Sequence, residues 1–473
     1  MKNNQLPQLG NLSELKSRFL FLMLALIVYR LGVHITVPGI NVPLLMDQMT
    51  QPGEGQGLSA MMNLFSGGAF ERMSIFMLGV MPYITASIVI QMLSVVYPPL
   101  EQIKKEGQAG RRKITQYTRY LTIVFAAAQG TAYAFGIVNG SLGFNASIVM
   151  IPAFNFVLLA VITWITGTIF LMWLGEQISE RGVGNGISMI IFASILMGMP
   201  TGVSALFDTA RTEGTTLAYL KVVFVILFVM AIVLLVVFIE RGQRRITINY
   251  ARKQQGRQMS IGGQTTHLPL KLNMAGVIPA IFGSAFLSFV YTISAALAKI
   301  EVQVVDGPMS GLQKFSFFAS QFFQKIGNYG VKYFTPGQPA YMILFAALII
   351  FFCFFYTAIQ FNSKETAENL KRSGGFIPGI RPGIQTSQFF DKVLTRITLW
   401  GALYITAICL LPDMLGAIFN FPSYFGGTSI LIAVVVVMDL IAQVQAQLVS
   451  QQYSSLMKKA NISNALNGKP PSI

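Results

Sequence analysis

The sequence predicts an all-α integral membrane protein of ten transmembrane helices, arranged as two five-helix halves of opposite orientation. Three observations lead there. Of the 473 residues, 53% are hydrophobic and only 11% charged, about half the charge of an average soluble domain. At least nine apolar windows reach the roughly 20 residues a helix needs to cross a hydrocarbon core of about 30 Å, and ten helices are read from them. Finally, 26 of the 34 lysines and arginines fall on one side of that ten-helix layout.

The first span, 19–38, contains "FLFLMLALIVYRLGV". It lacks a small-residue cleavage site and is interrupted by Arg30, so it reads as a retained helix rather than a signal peptide. The second, 73–96, has a preface of its own in "NLFSGGAFER". Three more follow at 117–138, 154–175 and 184–200, the last short and glycine-bearing. Residues 201–216 read as a hinge loop, which makes 1–200 the N-terminal half and 217–449 the C-terminal half, with a tail at 450–473. The second half supplies spans at 217–239, 274–297, 339–361, 394–412 and 427–449. Five is odd, so the halves stand upside down relative to each other, although they share no visible residue-level similarity.

Charge placement orients the chain. The basic-rich connections, including 104–119, 241–271 and 364–396, lie on the side of both termini, which the positive-inside rule makes cytoplasmic. The loop at 298–338, with Lys299, Lys314, Lys325 and Lys332, is the exception on the outer side. Two cytoplasmic connections exceed a turn. The stretch 241–273 holds seven basic residues and no acid, and its alternating Ile246, Ile248 and Tyr250 predict a β-hairpin. The second, 362–393, starts as a polar helix extension and ends in "FIPGIRPG", where Pro378, Gly379, Pro382 and Gly383 hold Arg381 on a stiff turn. The loops at 40–57, 139–153 and 298–338 show little pattern.

Several chemistries lack their residues. There is no G-x-x-x-x-G-K-[ST], no G-x-S-x-G and no H-E-x-x-H. The two histidines, His34 and His267, fall on opposite sides of the membrane, so no metal site and no cofactor is expected. Cys353 and Cys409 sit in different spans and read as small packing residues. Ionisable residues within spans mark transport pathways because each is costly there. Arg30 can snorkel, Glu176 ends a helix, and only Asp439 falls well inside a span. A membrane bundle with a broken second segment, basic protrusions and no motor remains, and no catalysis is expected.

Long irregular stretches now carry a resemblance. "NLFSGGAFERMSIFMLGVMPYI", "KKEGQAGRRKITQYTRY", "ERGQRRITINYARKQQGRQ", "THLPLKLNMAGVIPAIF" and "SKETAENLKRSGGFIPGIRPG" are similar to the SecY family of protein-conducting channel subunits, with likeness running from about Leu12 to Asn461. The resemblance implies a central hourglass pore between the halves, closed by a plug ahead of the second span: Asn63, Leu64, Phe65, Ser66, Gly67, Gly68, Ala69, Phe70, Glu71 and Arg72. It implies an aliphatic pore ring of Val80, Ile84, Ile191, Ile281 and Ile432, which would exclude ions by dewetting. It implies a lateral gate for emerging transmembrane helices, for which Ser87, Gln91, Gln129 and Asn273 could supply polar contacts. Arg244, Arg245, Arg252, Lys253, Arg257 and Arg381 would then dock a ribosome or the SecA motor ATPase. The companions implied are SecE and SecG, the passengers secretory and membrane proteins, and the site the bilayer of the bacterial cytoplasmic membrane. Two other readings stay open on the residues alone: a secondary transporter using Asp439, and a scaffold with basic loops but no conduit.

Overall fold

The computed structural model describes residues 12–45, 66–140, 146–250, 265–298, 311–335, 338–419 and 426–466. Thirteen helices and three short strands follow one another along them. Helix α1 is Leu12–Val33, and α2 (Met81–Val96) carries Pro82 in its first turn, where a missing N–H costs nothing. The prolines at 98 and 99 force Tyr97 out of the helical region, so α3 (Pro98–Lys105) leaves α2 at 99°. Helices α4 (Gln108–Val138), α5 (Ala153–Arg181) and α6 (Gly186–Glu213) complete the first half. The second half contains α7 (Thr216–Glu240), strands β1 (Gln243–Tyr250) and β2 (Thr265–Lys271), α8 (Ile278–Ala298), α9 (Gly311–Phe334) and α10 (Pro339–Gln360). It ends with α11 (Ser363–Arg372), β3 (Gly375–Phe376), α12 (Ile384–Phe419) and α13 (Gly427–Leu466).

Among the described residues eight helices are long and apolar enough to cross a membrane. The bent pair α2 and α3, together with α1, occupies the two remaining expected positions. The halves touch along two seams. On one, α6 packs against α7 and α13; on the other, α8 packs against α2 and α4. A single apolar core, from Leu22 and Ile84 to Ile405 and Ile432, crosses both halves.

Four expectations need correction. The second span does not start as a helix at 73: residues 67–80 form consecutive turns, and α2 begins only at Met81. Ser74 bridges to Thr36, Val37 N donates to Met73 O at 3.0 Å and Ile75 N to Ile35 O at 2.9 Å, so these backbone groups pair with the residues just after α1 instead of along a helix. The hinge loop at 201–216 is also mostly helix. Pro200 is absorbed inside α6, on its exposed side. Beyond it Leu206 and Ala210 pack on Ala218 and Val222 of α7. The turn is confined to Gly214, at φ +60°, and Thr215, whose Oγ1 accepts from Ala218 N at 3.3 Å.

The outer connection 298–338 holds α9, a helix of 24 residues, where no pattern was read. Asp439, expected well inside a span, is 57% exposed at the side chain and lies 3.7 Å from Lys271 at the end of β2. It serves the edge of the bundle and leaves no acid for a buried relay at that position. Cys353 and Cys409 are buried and unbridged, as the packing role required.

Candidate functional site

The turn segment ahead of α2 is built in from three directions. Tyr29 of α1, 1% exposed, donates its hydroxyl to Ser66 O at 2.9 Å and lies 2.6 Å from Ser194 Oγ on α6. Arg30 reaches the same place, donating from Nη1 to Gly67 O at 3.1 Å. Ser66 Oγ accepts from Phe70 N at 3.1 Å, closing the turn on itself. Gly67 adopts φ +64°, and a β-carbon there would lie 3.0 Å from Ser194 Cα, so only glycine allows this approach to α6. Two buried rings fix the rest. Phe76 stacks on Tyr29 at 6.0 Å and on Phe170 at 5.8 Å, while Phe70 meets Tyr133 of α4 edge-on at 6.1 Å.

Of the ten residues expected to form a plug, Ser66 to Arg72 are among those described, with Ser66, Gly67, Ala69 and Phe70 buried and Glu71 exposed. Asn63, Leu64 and Phe65 lie outside the described residues. Arg30, expected to snorkel, holds the plug turn instead. A sequence cannot show this latch, since Tyr29 finds partners 37 and 165 positions away.

Val80, Ile84, Ile191, Ile281 and Ile432 come from four helices and the cap of α2, and all are at most 7% exposed. They belong to the one core that crosses both halves. Ala69 of the plug turn lies in that same core.

The four polar residues expected across the α2/α4–α8 seam behave differently. Gln91 Nε2 donates to Ser87 Oγ at 3.0 Å, one turn away on its own helix. Gln129 is buried on α4. Asn273 sits before α8 rather than on it, and its Nδ2 donates to Glu240 Oε1 at 2.6 Å and to Gly276 O at 3.1 Å. It therefore anchors the start of α8 to the end of α7 and does not bridge the seam. The contacts that do cross are ones the sequence did not reveal: Tyr133 Oη to Thr292 Oγ1 at 3.1 Å, and the rings of Phe125 and Phe289 edge-on at 5.6 Å. Tyr133→Phe is expected to loosen this seam by about threefold, given roughly 0.6 kcal/mol for an average hydrogen bond in a membrane bundle. Disulfide trapping between cysteines placed on α4 and α8 measures it; an unchanged rate assigns the seam to packing alone.

The hairpin expected at 241–273 is present, with Ile246 opposite Leu268 and Arg244 opposite Leu270. Strand β3 adds to its other edge through Asn249 with Phe376 and Tyr250 with Gly375, so both basic connections form one sheet. Ile246, Leu270, Ile377 and Phe390 seat it on α12. Arg244 and Arg245 are exposed on β1, and Arg381 is exposed beyond β3. The frame read around Arg381 is real backbone constraint: Gly379 and Gly383 have φ of +81° and +111°, and Thr386 Oγ1 donates to Arg381 O at 2.9 Å. Arg252, Lys253 and Arg257 lie outside the described residues. Arg119 of α4 grips Glu176 of α5 through Nε at 3.0 Å and Nη2 at 2.6 Å.

Comparison with known proteins decides what this arrangement is. A family model described as SecY matches residues 74–441. The chain is 52% identical to the protein translocase subunit SecY of Pseudomonas aeruginosa over 453 residues, covering 96% of this chain and 95% of that protein. The chain belongs to the SecY family. The SecY of Escherichia coli K12 is 51% identical over 455 residues, covering 96% of each chain. Solved folds agree at lower identity. A protein-conducting channel superposes with TM-score 0.60 at 18% identity, covering 92% of this chain and 93% of that one. The Sec61 of a canine ribosome-channel complex gives 0.58 at 17%, with the same coverage. Within the SecY match fall all five ring positions, both sides of the α8 seam and Arg381, whereas the latch residues Tyr29 and Arg30 and the plug turn up to Met73 precede it.

Proposed function

We propose that this chain is the channel of a protein translocase. Unfolded secretory polypeptides pass between its halves, and transmembrane segments leave sideways through the α2/α4–α8 seam into the bilayer. The observation that carries the reading is the convergence of Val80, Ile84, Ile191, Ile281 and Ile432 from both halves into one buried core, beside a turn held by two hydrogen bonds from α1 rather than by a continuous helix. Aliphatic side chains close a narrow passage to ions yet offer a passing chain no specific grip. The plug is the turn segment up to Arg72, and Phe70 against Tyr133 joins it to the seam.

The membrane is the bacterial cytoplasmic membrane, with both termini and the sheet on the cytoplasmic side, where the basic connections cluster. Arg244 and Arg245 on that sheet and Arg381 beyond it, with Arg252, Lys253 and Arg257 from the sequence between β1 and β2, dock either the ribosome, through phosphate contacts, or the SecA motor. The canine Sec61 and yeast Ssh1 channels, similar in fold, were solved on ribosomes. SecE and SecG are the companion subunits.

The deciding experiment is photocrosslinking from a probe at Ile84 to a stalled secretory chain in vesicles supplied with SecA or ribosomes. The expected result is an adduct that requires an engaged chain. Silence at Ile84, with capture of the motor or ribosome still seen from a probe beside Arg381, removes the conduit and leaves a docking scaffold.

A further inference from the structure

Helix α9 carries an apolar face that nothing among the described residues covers. Another side of its last two turns is committed: Gly327 lies against Ala298 and Gly330 against Ser294, so closely that a β-carbon would overlap them. Phe334 joins the central core, and Tyr291 shares a side-chain hydrogen bond with Thr335. These pairings run antiparallel and place the last two turns of α9 beside the last two turns of α8, at the end of a membrane span.

On the outward side Phe318, Phe322, Ile326, Tyr329 and Tyr333 repeat at helical spacing within a sector of about 80°. All five are large and exposed, Phe318 at 70%. Tyr329 and Tyr333 stack at 6.3 Å, and Lys332 Nζ stands 5.9 Å from the Tyr333 ring centroid. Lys325 and Lys332 border this face along one edge, and the helix contains no acidic residue.

We propose that α9 docks its aromatic face on the anionic phospholipid surface at the end of the bundle away from the β-sheet. Position, residue type and charge agree. The lipid-facing side of α8, with Ile293 exposed next to the Ser294 contact, continues directly onto α9. Tyrosines at a span's end sit at headgroup depth, and lysines beside an apolar face reach up to phosphate oxygens. The stripe from 318 to 333 is about 22 Å long, enough to lay its five side chains along a bilayer surface. The assignment to the outer leaflet rests on the topology proposed above; the docking itself does not.

The test uses the chain with its companion subunits in lipid nanodiscs, carrying an environment-sensitive fluorophore on Phe322→Cys and, separately, on Tyr329→Cys. Brominated acyl chains should quench both probes in phosphatidylglycerol discs, while aqueous iodide should not. Lys325→Gln with Lys332→Gln should weaken the lipid quenching, each lysine near an anionic surface being worth about a fivefold shift in the docking equilibrium. Iodide quenching at both positions in phosphatidylglycerol places the face in water and overturns the proposal. Shielding from both quenchers means a protein covers it, and equal lipid quenching in pure phosphatidylcholine removes the anionic assignment. The crosslink from Ile84 is read independently, so failure of the channel reading and failure of the docking are distinguishable.

Discussion

Ile432→Ser opens the resting channel to ions. The native side chain is fully buried in the core that crosses both halves, and its replacement removes the branched apolar body and leaves a hydroxyl. A constriction that stays dry because its walls are aliphatic gains a hydration site. Burial of such a side chain is worth about 1.5–3 kcal/mol, so the balance between dry and wetted states moves by about 10- to 150-fold. Conductance of the purified complex in planar bilayers, without motor or ribosome, measures it. Ile405→Ser is the control: that residue is equally buried but on α12 and outside the ring, so it should lower stability without producing a leak. Equal leaks from both variants assign the current to general loosening and sink the ring.

Tyr29→Phe frees the plug. The ring and its stack on Phe76 remain, but Ser66 O is left with the longer bond from Ala69 N at 3.4 Å and Ser194 Oγ with its bond to Ile190 O. A buried hydrogen bond is worth about 0.5–1.5 kcal/mol net, which predicts a shift of about 2- to 13-fold toward the displaced turn. A cysteine at Ala69, 0% exposed when the turn is seated, reports this through its reaction rate with an aqueous maleimide. Arg30→Gln should add to the effect by weakening the contact with Gly67 O. An unchanged labelling rate in Tyr29→Phe would leave the plug held by Arg30 and by the apolar packing of Phe70 and Phe76.

Legibility of this chain follows the range of the interactions involved. The hairpin was readable because Ile246, Ile248 and Tyr250 alternate locally, and the spans because their apolar runs are continuous. The third strand was not readable: Gly375 and Phe376 are extended only because β1 offers an open edge. The glycines at 327 and 330 break the apolar pattern of α9 in sequence, yet in space they are what lets it lie against α8. An aliphatic ring residue looks like any other in an apolar helix, so those five positions came from resemblance. The polar gate residues were chosen by type. Asn273 and Gln91 found partners on their own side, while the seam was bridged by a tyrosine and a threonine whose meeting depends on how α4 and α8 face each other.

Gly214 and Thr215 are the whole connection between α6 and α7, and two residues span no more than about 7 Å. The chain is thus clamped at one edge, and the two sides can separate only by swinging about it, as a pair of shears does about its pivot. The clearance offered to a passenger must then grow with distance from that pivot and be widest where α8 meets α2 and α4. A bulky segment would meet lipid before it met the axis, so the choice between crossing and lateral release is biased by leverage, before any side chain is read.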